Sequence, residues 1–147
     1  MNKKGVTLIE LVIVISIIGV LVLVAIPEIK ANKLSGAARM IFSDLHYARM
    51  QAIKEKNNFR MIFQDDGATY QIHSDQNNNA QIDEGEKVIN KNINNDFHNI
   101  TFTANRNPTF NPVGTGNSGT ITLSDQSASK YIIFSWTGRI RISDTAP

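Results

Sequence analysis

The chain has 147 residues and no cysteine, which excludes a disulfide scaffold, a thiolate metal centre, a cysteine nucleophile and a lipoprotein anchor. Lysine and arginine number 15 against 13 aspartate and glutamate, a formal net charge of +2. Lys3 and Lys4 account for that whole excess, so a globally cationic nucleic-acid binder is excluded, although a local basic patch is not.

The first element is apolar. From Leu11 to Ile26 only Ser16 and Gly19 are neither strongly apolar nor alanine, and Val6–Ile26 matches the ~20 residues a helix needs to cross a bilayer. A secretory signal peptide has a core of roughly 7–15 residues and a small-residue exit site. Here the core is longer and Val24-Ala25-Ile26-Pro27 is a poor exit. An ordinary single-span anchor, with Lys3 and Lys4 keeping its start in the cytoplasm, fits the length. It leaves Glu10 unexplained, because a carboxylate in an apolar run costs about 2.5–3.5 kcal/mol at mid-membrane and less near an end.

The segment Lys3-Lys4-Gly5-Val6-Thr7-Leu8-Ile9-Glu10 resembles the processing site of type IV pilins and type II secretion pseudopilins, with Val6 where phenylalanine is commonest. The resemblance implies that a prepilin peptidase cuts between Gly5 and Val6, that the new amine of Val6 is N-methylated, and that Glu10 is the family's assembly glutamate. Elementary electrostatics agrees. Before cleavage Glu10 has no cation near it within the apolar stretch; cleavage creates an α-amine with an ordinary pKa near 8. A neighbouring subunit's Glu10 then has a partner inside a helix bundle, and such a buried pair fixes register more than it adds stability.

After Pro27 the pattern is amphipathic: Leu34, Ala38, Ile41, Leu45, Ala48 and Ala52 recur at spacings of three and four. This predicts a helix continuing to about Lys56, its apolar stripe packed on a sheet, with a kink or unwound turn near Leu23–Pro27. Strands are predicted at 59–64, 68–73, 87–90, 100–103, 120–123, 131–136 and 139–143, the first two joined by Asp65-Asp66-Gly67. Trp136 and Phe134 read as core. The expected architecture is α+β, one long N-terminal helix on an antiparallel β head. The expected segments are a leader at 1–5, a transmembrane assembly helix at 6–27, its amphipathic half at 28–56 and the head at 57–147.

Two head segments extend the resemblance, to the GspH/FimT family of minor pilins and pseudopilins. Ala48-Arg49-Met50-Gln51-Ala52-Ile53 is similar to that family's segment near the helix end. Tyr131-Ile132-Ile133-Phe134-Ser135, followed by Thr137-Gly138-Arg139, is similar to its C-terminal ending.

Among residues that could carry chemistry, Asp75–Glu86 has oxygen side chains at the spacing of a twelve-residue calcium loop, but Ala80 stands where the sharp turn wants glycine. The plainer reading is an Asx-rich connection between strands. Gly138-Arg139-Ile140-Arg141 places two guanidiniums on one face of a strand, a geometry suited to phosphate. In FimT-type minor pilins the resemblance associates this motif with DNA capture, with Lys130 and Arg106 as further cations here. The competing reading is that basic side chains protect an edge strand from pairing. His46, His73 and His98 show no metal-ligand spacing, no nucleophile motif is present, and the glycines of 114–119 do not open a helix after a strand. No catalytic role, metal or cofactor is read.

The expected protein is therefore a minor pilin or pseudopilin, a structural subunit rather than an enzyme. Its expected partners are other pilins through the N-terminal helix, the prepilin peptidase, the inner-membrane assembly platform, the inner membrane itself and, in the alternative, DNA at Arg139 and Arg141. The expected location is the bacterial inner membrane, N-terminus cytoplasmic and head periplasmic, before assembly into a pilus or pseudopilus. A tethered binding module that never polymerises is the third reading.

Overall fold

The computed structural model describes residues 7–147, apart from the side chains of residues 23–32. Lys3, Lys4, Gly5 and Val6 lie outside the described residues. Near Leu23–Pro27, where a kink or unwound turn is expected, the backbone is helical throughout. The chain divides into a first unit that runs to Asn32 and a second, Lys33–Pro147.

A helix, α1 (Leu8–Glu55), begins in the first unit. Its side chains from Leu8 to Val22 are all exposed. The polar interruption at Ser16 is satisfied within the helix, its hydroxyl donating to the Val12 carbonyl at 2.7 Å. Among the described residues no helix is long and apolar enough to cross a membrane; the apolar run continues into residues 23–26, whose side chains are not described.

In the second unit the predicted stripe is the one that is buried. Leu34, Ala38, Ile41, Leu45, Ala48 and Ala52 are each at most 1% exposed, joined by Ala37. Four alanines on this face let the helix axis approach the strands closely. The helix ends where Lys56 adopts the left-handed conformation, φ 54°, with the Asn57 amide donating back to the Ala52 carbonyl.

Eight strands follow: β1 (Asn58–Phe63), β2 (Thr69–Asp75), β3 (Val88–Asn92), β4 (Thr101–Ala104), β5 (Thr109–Phe110), β6 (Gly119–Ser124), β7 (Ser129–Phe134) and β8 (Ile140–Ser143). They form two antiparallel four-stranded sheets, ordered β3-β2-β1-β5 and β4-β6-β7-β8. The inward faces contribute Phe59, Met61, Tyr70 and Ile72 from the first sheet and Phe102, Ile121, Leu123, Ile132 and Phe134 from the second, all buried with the helix stripe in one core. Phe63, Tyr70 and Phe102 form an aromatic cluster with ring centroids 4.9–5.9 Å apart.

The α+β reading holds, and three details differ from expectation. Strand β5, with only two residues beside β1, is too short to show a period and lies inside what reads as a loop. Strand β2 runs on to Asp75, and His73, Ser74 and Asp75 are all buried, on both faces of the strand. Trp136 is not core: it is 67% exposed, while Phe134 is buried as expected. Strand β7 stops at Phe134, and the turn that follows breaks the inward alternation before Trp136 is reached.

Candidate functional site

The hairpin joining β7 to β8 is built around a glycine. The Ser135 amide donates to the Arg139 carbonyl at 3.0 Å and the Gly138 amide donates to the Ser135 carbonyl at 2.8 Å. Gly138 has φ +80°, and a Cβ there would stand 2.1 Å from the Gly114 carbonyl oxygen and 2.7 Å from Arg49 Nε. Arg49, on the helix, donates from Nε to that same Gly114 carbonyl at 2.8 Å. The helix-end motif and the C-terminal motif, far apart in sequence, are thus two halves of one contact. Gly138 is the residue that lets the hairpin close against the helix.

Beyond the turn, strand alternation does what the sequence pattern predicts. Ile140 is 8% exposed and faces the core, whereas Arg139, immediately before β8, and Arg141 within it are both exposed, at an edge of the sheet. They border a shallow groove of about 270 Å³ with Ile133, Ser135, Trp136 and Thr137. Among the described residues neither arginine side chain makes an ion pair or hydrogen bond. The two additional cations do not join them. Lys130 is ion-paired with Asp144, and Arg106 lies beyond β4, at the opposite edge of the sheet, beside a different groove.

The Asp75–Glu86 loop is closed by its own donors. Asp75 is ion-paired with Arg60 and accepts from the Asn79 and Ala80 amides at 3.0 and 3.1 Å. Asp83 accepts from the side-chain amides of Asn77 and Asn79, each at 2.7 Å, and Glu86 accepts from the Gln76 and Asp83 amides. Ala80 takes the left-handed turn, φ 65°, that its position demands. Burial disfavours the charge on Asp75, but Arg60 and the two loop amides outweigh it and hold its carboxyl below the ordinary range. Among the described residues no group of three His, Asp or Glu side chains could hold a metal ion.

His73, unremarkable in the sequence, is fully buried, and among the described residues neither ring nitrogen has a partner. Burial pushes its pKa down; Glu86 and Asp75 act in the opposite direction, and Arg60 lowers it again. His46 packs its ring on Phe42, centroids 4.6 Å apart, and His98 is exposed.

At the start of α1, Thr7 and Glu10 form a reciprocal cap. Glu10 Oε2 accepts from the Thr7 amide and hydroxyl, both at 3.0 Å, and the Glu10 amide donates to Thr7 Oγ1 at 3.3 Å.

The fold is shared with the type IV minor pilin FimU of Pseudomonas aeruginosa, at a TM-score of 0.60 and 19% identity over 80% of this chain and 94% of that one. It is also shared with the minor pseudopilin EpsH of the Vibrio cholerae type 2 secretion system, at a TM-score of 0.58 and 10% identity over 76% and 97% of the two chains. A long helix on antiparallel sheets is here the type IV pilin-like fold. The model of the Type II transport protein GspH family matches residues 37–138, and the prokaryotic N-terminal methylation motif matches residues 1–26. The chain belongs to the GspH family of pilin-like proteins. It is also 36% identical over 91 residues to the pilin-like protein PilA1 of Thermus thermophilus, a match spanning 59% of this chain and 58% of that protein's length. The GspH match ends at Gly138, so Arg139 and Arg141 lie just beyond it.

Proposed function

We propose that this chain is a minor structural subunit of a type IV pilus or type II secretion pseudopilus, processed by a prepilin peptidase. The observation that carries it is the methylation motif over residues 1–26 joined to a GspH head over 37–138 on one chain. Residues 1–5 are the leader, cut after Gly5, and Val6 carries the methylated amine. The positive start stays cytoplasmic, the apolar stem waits in the inner membrane, and the head faces the periplasm until the assembly platform draws the subunit into a fibre. Glu10, self-capped by Thr7 in the single subunit, exchanges that cap for the amine of a neighbour in the bundle. Intact-mass analysis after co-expression with a prepilin peptidase tests the processing. The expected product begins at Val6 and carries one added methyl group. A chain that still begins at Met1 or Asn2 would instead make it a tethered module that never polymerises.

A second reading is favoured by Arg139 and Arg141, both exposed and unpaired among the described residues: the head binds DNA through Gly138–Arg141. Two phosphate contacts release few counterions, so affinity is weak and falls roughly tenfold between 50 and 200 mM salt. The double variant Arg139→Gln, Arg141→Gln is expected to remove both the binding and its salt dependence. Undiminished binding by that variant, or none by the folded parent at low salt, leaves the arginines as edge-strand protection and the secretion role in front.

A further inference from the structure

Trp136 is the only tryptophan of the chain, and it is placed on the surface, 67% exposed in the β7–β8 turn. Its backbone is held from both sides. Its amide donates to Ser118 Oγ at 2.9 Å, and its carbonyl accepts from the Gly116 amide at 2.9 Å. Two residues on, Gly138 packs against the Gly114 carbonyl. The loop of residues 114–119 thus fixes the turn while the indole contributes little to the core. An exposed large apolar ring on a fixed backbone is the informative kind of exposure.

The indole shares its groove with Arg139 and Arg141. Arg139 directly precedes β8 and Arg141 lies within it, so at an extended ~3.3 Å per residue their backbones stand about 6.6 Å apart, a step on the order of the phosphate spacing along one nucleic-acid strand. We infer that Trp136 is a base-stacking platform and that this groove takes single-stranded DNA, a base lying on the indole and the adjoining phosphates on Arg139 and Arg141. The inference rests on the DNA-binding reading of Gly138–Arg141. A duplex hides its base faces within its own stack and meets only the guanidiniums. A single strand offers a π-face to the ring whatever its sequence. The arginines therefore supply attraction to either form, and Trp136 supplies the preference for one.

The test uses the full chain in non-ionic detergent, titrated at low salt with oligothymidylate and with a duplex of matching length. As the sole tryptophan, Trp136 reports directly through its emission. The single strand is expected to bind more tightly and to quench that emission, and the duplex to leave it unchanged. Trp136→Ala, its fold checked by circular dichroism, is expected to weaken single-strand binding by roughly 5- to 150-fold, one stacked base, with duplex binding unchanged. Trp136→Phe is expected to recover part of the loss. Equal affinity for both forms, with emission unmoved and Trp136→Ala neutral, would overturn the stacking role while the arginine reading stands. No binding of either form overturns both. Unchanged DNA affinity in Trp136→Ala combined with poorer incorporation into fibres would give the indole to a protein neighbour, and also overturns it.

Discussion

Gly138 shows how much one residue carries here. Its positive φ disfavours any L side chain, and a Cβ would meet backbone, the Gly114 carbonyl oxygen at 2.1 Å, which cannot swing aside as a side chain could. Gly138→Ala is expected to cost about 2–4 kcal/mol, seen as a fall of several degrees in Tm. The same change displaces the turn that carries Trp136 and Arg139. His73 is a different case, a buried imidazole without a hydrogen-bond partner among the described residues. Its folded pKa lies below the ordinary value near 6.5, so its contribution to stability is present above that pH and is lost as the pH falls through the folded value. The chain is therefore expected to melt at a lower temperature at pH 5 than at pH 7.5. His73→Leu, which removes both the titration and the two orphaned nitrogens, is expected to shrink that difference. An undiminished difference in the variant would assign it to other groups.

At the scale of elements, the loop after β2 is held mainly by charge rather than by apolar contact. Arg60 of β1 reaches across the sheet to Asp75 and also donates to Asn78 Oδ1 at 3.0 Å and Thr109 Oγ1 at 3.2 Å, tying β1, β5 and the loop together. Because the folded pKa of Asp75 is depressed, its stabilisation is complete above the ordinary carboxylate value near 4 and disappears as the pH drops through the folded value. Asp75→Asn is expected to lose about 2 kcal/mol or more at neutral pH, since Arg60 is left without its charge partner, and to show a shallower acid limb in Tm against pH. Tyr70 marks the opposite side of this sheet, where its hydroxyl donates to Asp44 of the helix at 2.6 Å. Burial, and then the Asp44 carboxylate, push its pKa far up, so it stays a donor at any working pH. Tyr70→Phe is expected to cost about 1–3 kcal/mol in denaturant unfolding by leaving Asp44 short of a donor.

For the whole molecule, the proposed role draws on both a stem and a head, and α1 contributes to each. Glu10→Val removes the carboxylate proposed to pair with a neighbour's amine, at a position outside the head's core. The expected result is a normally folded head whose recovery in sheared fibres falls severalfold; unchanged incorporation would sink the pairing role. Much of this molecule was legible in its sequence because two periods are local. The helix stripe from Leu34 to Ala52 and the inside–outside alternation of Arg139, Ile140 and Arg141 follow from backbone geometry alone. The N-terminal motif, read as a string, already pointed to the family. What the tertiary structure decided was non-local. Strand β5 exists only because β1 lies beside it, and His73 is fully buried where Arg60 of β1 and Glu86, distant in sequence, both act on it. Lys130 is occupied only because Asp144 comes near, and Trp136 is exposed because a turn held by Gly114, Gly116 and Ser118 interrupts the strand. None of these contacts has a period or a spacing along the chain. They arise where segments distant in sequence meet, and there the competition between burial and pairing is settled in three dimensions.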